Sequence, residues 1–107
     1  MRIAVLSDIH GNLPALRAVQ ADLARRGVDQ VINCGDILSG PLWPRETGDA
    51  LMALGWPTIA GNHERQLLAC ARRPGGASDQ HAFEHSTSVQ RDWLAALPAT
   101  LEPTPGV

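Results

Sequence analysis

Aromatic residues are scarce in this chain. One Phe, three Trp and no Tyr make up 4% of its 107 residues, and no stacking platform for nucleic-acid bases is evident. An excess of one charge is also missing. The formal net charge is −2, and Arg25–Arg26 and Arg72–Arg73 stand as isolated pairs, which argues against a broad nucleic-acid surface. The two cysteines, Cys34 and Cys70, lie far apart inside apolar segments. They exclude a disulfide framework or a zinc ribbon and read as small buried hydrophobes. No apolar run approaches the roughly 20 residues that span a bilayer, and "IAVL" after a single arginine is too short for a signal-peptide core. The expectation is one small cytoplasmic domain away from membranes. With 44% hydrophobic and 19% charged residues, the chain has the profile of a globular unit with one core.

What is present alternates between strand and helix signals. "IAVLS" is a short β-branched run, and "LPALRAVQADLARRG" carries Leu13, Leu16, Val19 and Leu23 at helical spacing. Asn12 suits an N-cap, Pro14 the first turn and Gly27 a left-handed stop. "QVINC" predicts a second strand, "ETGDALMALG" a second helix, "PTIA" a third strand and "GNHERQLLACARR" a third helix. The order β-α-β-α-β-α implies an α/β fold with a parallel sheet, right-handed crossovers and helices over both faces. "HAFEHSTSVQRDWLAALP" predicts one more helix, with Thr87 and Gln90 at capping-box spacing, and "TLEPTPGV" the entrance to another strand. There is no internal repeat.

Ligands of such sheets bind at the carboxyl ends of the strands. Asp8, His10, Asp36, Asn62 and His63 come from three separate stretches, "LSDIHGN", "NCGD" and "AGNHER", and each stretch follows a predicted strand. The fold therefore gathers them at one edge. Carboxylate oxygen with imidazole nitrogen suits manganese, iron, nickel or zinc better than calcium. Asp8 and His10, two residues apart on an extended segment, would face one ion together. Glycines at 11, 35 and 61 would let backbone and ligand approach without a Cβ in the way.

These blocks resemble those of the calcineurin-like metallophosphoesterase superfamily, in particular its compact bacterial branch. "DIHGN" is similar to the family's first block, "GD" followed by "GP" to its second and "GNHE" to its third. The resemblance covers nearly all of residues 1–107. It implies the amino-terminal half of a four-layer αββα sandwich, two divalent metal ions, and a phosphomonoester or phosphodiester substrate attacked by a metal-activated hydroxide. Asp8 and His10 are implied as ligands of one ion, Asp36 as the bridge, Asn62 as a ligand of the second ion, and His63 as the catalytic histidine at the leaving group.

Family members carry further histidine blocks that nothing here matches. His81 and His85, at i, i+4 spacing on a predicted helix, fall on no family motif and read as surface residues. Trp43 and Trp56 read as packing residues. A homo-oligomer is compatible with the sequence. The alternative function is a non-catalytic module that binds a metal, phosphate or partner protein. A dinucleotide-binding domain is disfavoured because the first turn supplies no G-x-G-x-x-G cradle.

Overall fold

A computed structural model describes residues 1–107. The apolar run at the start forms β1 (Ile3–Leu6), which pairs in parallel with β2 (Gln30–Asn33), Ile3 opposite Gln30 and Leu6 opposite Asn33. The crossover between them is α1 (Leu13–Arg26). Asn12 Oδ1 accepts from the Ala15 amide at 3.1 Å, Pro14 sits in the first turn, and Gly27 closes the helix at φ 66°. These are the cap, first-turn and stop positions read from the sequence.

The third strand is reduced to one parallel bridge between Asn33 and Thr58. The Asn33 amide donates to Pro57 O at 2.9 Å and the Ile59 amide to Asn33 O at 3.0 Å, but the Ala60 amide turns away to Pro98 O. Pro57 has no amide hydrogen to extend the ladder, so the pairing ends after one residue.

α2 (Pro44–Leu54) begins two residues earlier than its sequence signal, because Pro44 fits the first helical turn. α3 (Asn62–Ala69) follows the bridge. The long helix expected around residues 81–98 is two helices, α4 (Ala77–His85) and α5 (Ser88–Ala95), separated by extended Ser86 and Thr87. Thr87 makes the anticipated capping box with Gln90, so the cap starts a new helix instead of lying inside one. Arg91 closes the corner by donating to Ser86 O at 2.6 Å. The carboxy-terminal "TLEPTPGV" forms a turn, Val107 N to Thr104 O, and no strand; its two prolines lack the donors that a ladder needs.

Leu16, Ile37, Leu38, Leu51, Leu67 and Leu94 form the core between the sheet and the helices. Burial of each such side chain contributes roughly 1.5–3 kcal/mol. The sheet is not covered on both faces as expected. Val5 is 65% exposed on β1, and Val19, placed by spacing on the apolar face of α1, is 37% exposed. Trp56 packs against the core, whereas Trp43 is 45% exposed. Cys70 is buried, Cys34 is half-buried, and both are free thiols.

Candidate metal centre

The hydrogen bonding of β1 and β2 continues past their carboxyl ends and joins the two loops that follow. The Cys34 amide donates to Leu6 O at 2.8 Å, Asp8 N to Gly35 O at 3.0 Å, His10 N to Asp36 O at 3.0 Å and Gly11 N to Ile37 O at 2.7 Å. Between the polar residues, Ile9, Ile37 and Leu38 point into the core and anchor both loops.

Asp8 (φ 61°), His10 (φ 51°) and Asp36 (φ 57°) are the non-glycine residues with positive φ. A left-handed backbone costs such a residue on the order of 1–3 kcal/mol, and persists only where surrounding structure over-determines it. Here the inter-loop hydrogen bonds and the anchoring core residues do so. This corrects the extended D-x-H geometry expected from the sequence: Asp8 and His10 converge because each turns left-handed, not because alternate residues of a strand share a face.

Glycine makes the loops' close approach possible. A Cβ on Gly35 would collide with the backbone nitrogen of Gly61, and one on Gly61 would collide with the Asp36 carboxylate. A Cβ on Gly11 would lie 2.8 Å from Leu38 O. The three glycines read as points of close approach are therefore just that.

The ligating atoms of Asp8, His10 and Asp36 lie within 4.8 Å of one another. His10 Nδ1 donates to Ser39 O at 2.8 Å, which leaves Nε2 of the neutral ring as an acceptor, 3.3 Å from Asp8 Oδ1. Two acceptors facing each other call for a cation between them. A metal-ligating histidine normally donates its other nitrogen to a carbonyl or carboxylate in this way, so this donor set fits a divalent ion. A hydrogen bond from the Ser7 hydroxyl holds the Asp8 carboxyl below its ordinary range, against a smaller opposing effect of burial.

Asp36 is tied to α3 on two sides. Its Oδ1 accepts from the His63 amide at 2.9 Å, and its own amide donates to Glu64 Oε2 at 3.0 Å. Glu64 is 3% exposed, burial pushes its carboxyl up, and its Oε1 has no partner within the chain. The His63 ring stands edge-on to His10 with centroids 5.1 Å apart. Its Nδ1 lies 3.0 Å from Asp79 Oδ1, which also accepts from Ser39 Oγ at 2.7 Å. The Asp79 hydrogen bond, opposed by partial burial, raises the His63 pKa above 6.5.

Asn62 opens α3 beside His63 with its side chain exposed. His81 and His85 stay apart from the metal group: their rings stack at 4.1 Å, and His85 Nδ1 donates to His81 O. Glu64, Ser39 and Asp79 were not singled out in the sequence. Glu64 stood in the "GNHE" block without a readable role, and an acidic residue in the first turn of a helix, such as Asp79, normally needs no explanation beyond the helix dipole.

The family model for calcineurin-like phosphoesterases matches residues 1–101. The chain belongs to that family. A solved metallophosphoesterase from Sphaerobacter thermophilus is 32% identical and superposes with a TM-score of 0.73 over 92% of this chain and 41% of its own. An uncharacterized protein of Methanocaldococcus jannaschii is 39% identical over 66 residues, 62% of this chain and 27% of the archaeal protein. This calcineurin-like phosphoesterase chain therefore spans well under half the length of either relative, and its fold matches part of theirs. All three motif blocks fall inside the matched residues.

Proposed function

We propose that this chain contributes the metal-binding and leaving-group residues of a phosphoester hydrolase that cleaves a phosphomonoester or phosphodiester. The carrying observation is the convergence of the Asp8, His10 and Asp36 donors within 4.8 Å on three left-handed residues, with the His63 ring against that of His10. Asp8 and His10 would hold one divalent ion of the manganese, iron, nickel or zinc type, Asp36 would bridge to a second, and Asn62 would bind the second through its amide oxygen. When bound at these residues, such ions would lower the pKa of water and offset charge on the phosphoryl oxygens.

The chain's own residues do the rest. Asp36 is held on both sides by α3, so it keeps its place as charge builds. The raised pKa of His63 favours a proton on the ring near neutral pH, available to the departing alkoxide. Measuring hydrolysis of an aryl and an alkyl phosphate by His63→Ala tests this role. The variant should keep its metal and lose turnover mainly on the alkyl ester, because a poor leaving group most needs the proton. Equal losses on both esters would remove His63 from the leaving-group role.

A non-catalytic metal-binding module is the second reading, favoured by there being one Asp/His/Asp group in the chain. Stoichiometric metal uptake with no metal-dependent hydrolysis by the chain would select it.

A further inference from the structure

We infer that Ser39 and Asp79 are positioning residues, and that Ser39 orients both histidines of the centre at once: His10 directly through its backbone carbonyl, and His63 through Asp79. Calling the pair catalytic support rests on the proposed role of His63, but the contacts themselves do not.

The inference starts from burial. Ser39 is 2% exposed and Asp79 is 7% exposed. A carboxylate in such a place is tolerated only when donors satisfy it. Two donors meet on a single oxygen, Ser39 Oγ at 2.7 Å and His63 Nδ1 at 3.0 Å. Because a carboxylate only accepts, Nδ1 of His63 keeps its proton in both ring forms, and the proton that the charged ring can give up is the one on Nε2.

The Ser39 carbonyl imposes the same order on His10, whose Nδ1 donates to it at 2.8 Å. One buried residue of the β2–α2 loop thus sets the tautomer of a metal-ligand histidine and, one hydrogen bond further on, that of its neighbour. The parts come from separate elements: Ser39 from the loop, His63 from α3 and Asp79 from the first turn of α4. Gly40 keeps the loop in place, since a Cβ there would collide with His10 O. This gives α4, which carries no family motif, a role in the centre.

The test is nitrogen-15 NMR of the histidine rings in the metal-free chain, together with kinetics of the metal-loaded chain. At a pH above the His63 pKa, the native protein should show the neutral ring as the Nδ1–H tautomer with a slowly exchanging ring proton. Asp79→Asn should lose that proton signal and mix the tautomers, while the His10 ring signals stay in place. Ser39→Ala should disturb His63 in the same direction, and Ser39→Thr, which returns the hydroxyl, should restore it. In kinetics, Asp79→Asn should lower kcat on an alkyl phosphate about tenfold or more with bound metal unchanged. Unchanged His63 ring signals in folded Asp79→Asn and Ser39→Ala would overturn the inference. If the ring responds to Asp79 yet His63→Ala does not slow poor leaving groups, the positioning contacts stand and the proposed role of His63 fails. If His63→Ala slows them and Asp79→Asn changes neither ring nor rate, the reverse holds.

Discussion

The backbone amide of His63 donates to Oδ1 of Asp36 at 2.9 Å, so the carboxylate read as the bridge between two ions also caps the helix that carries the residue read as the proton donor. Gly61, the cap position of α3, has no side chain to do this. One oxygen of Asp36 serves the helix, and the other stays free for a cation. A single side chain would thus couple any ion bound at Asp36 to the placement of the His63 backbone.

That coupling separates two substitutions. Asp36→Asn keeps an oxygen to accept from the His63 amide, so its denaturant midpoint should stay near that of the native chain. Asp36→Ala removes the acceptor and should cost about 0.5–2 kcal/mol, the usual range for a lost helix cap. Both should bind manganese or zinc at least about tenfold more weakly by titration calorimetry, since a charged donor is gone. Undiminished metal binding by Asp36→Ala would remove Asp36 from the centre.

Gly61→Ala tests the packing of the loops. The added methyl would run into the Asp36 carboxylate, and overpacking of this kind typically costs about 1–3 kcal/mol. Thermal unfolding should show that loss, and metal affinity should fall with it. Gly76→Ala, at the cap of α4 where nothing lies within 4 Å, is the matched control and should do neither.

Stability should vary with pH through His63. Its pKa is raised in the folded chain by the Asp79 hydrogen bond. The contribution is therefore complete below the ordinary value of 6.5 and fades as pH rises through the folded value. With the His63 side chain 30% exposed, solvent screening keeps the effect small. Denaturant midpoints of the metal-free chain should decline as pH rises past 6.5, and Asp79→Asn should flatten that slope. A native slope equal to that of Asp79→Asn would contradict the assignment.

The open face of the sheet predicts association. Val5 on β1, exposed by 65%, and Val19 on α1, by 37%, add to an apolar face that favours contact with another surface. Size-exclusion chromatography should show the apparent mass rising with concentration, and Val5→Lys should hold the chain monomeric. A monomer at every concentration would contradict this.

Much of the centre could be read from sequence because local rules and site chemistry agree there. Asn12, Pro14 and Gly27 bound α1 as their conformational preferences require, and three polar blocks after apolar runs locate the edge where Asp8, His10 and Asp36 meet. Conformation was harder to read than position. No local rule announces that Asp8, His10 and Asp36 are left-handed, since that depends on hydrogen bonds between loops more than 20 residues apart in sequence. The shortening of the third strand to one bridge at Thr58 and the break at Ser86 escape the sequence for a related reason: short apolar runs and helical spacing persist through places where a proline or a cap ends the element. Asp79 was hidden because its partner, His63, lies 16 residues away on another helix.

The ladder that joins the two loops also bears on how the molecule comes together. Asp8, His10 and Asp36 can be aligned once β1, α1 and β2 have docked, but the His63 amide and the Glu64 carboxylate reach Asp36 only after the chain has passed through α2 and the bridge at Thr58. A half-assembled intermediate would offer the three donors without the clamp from α3. An ion that prefers the clamped form acts as a ligand of the finished fold, adding about 2.7 kcal/mol at a free concentration one hundred times its dissociation constant. Such an ion would then lower how often α3 lifts away from Asp36.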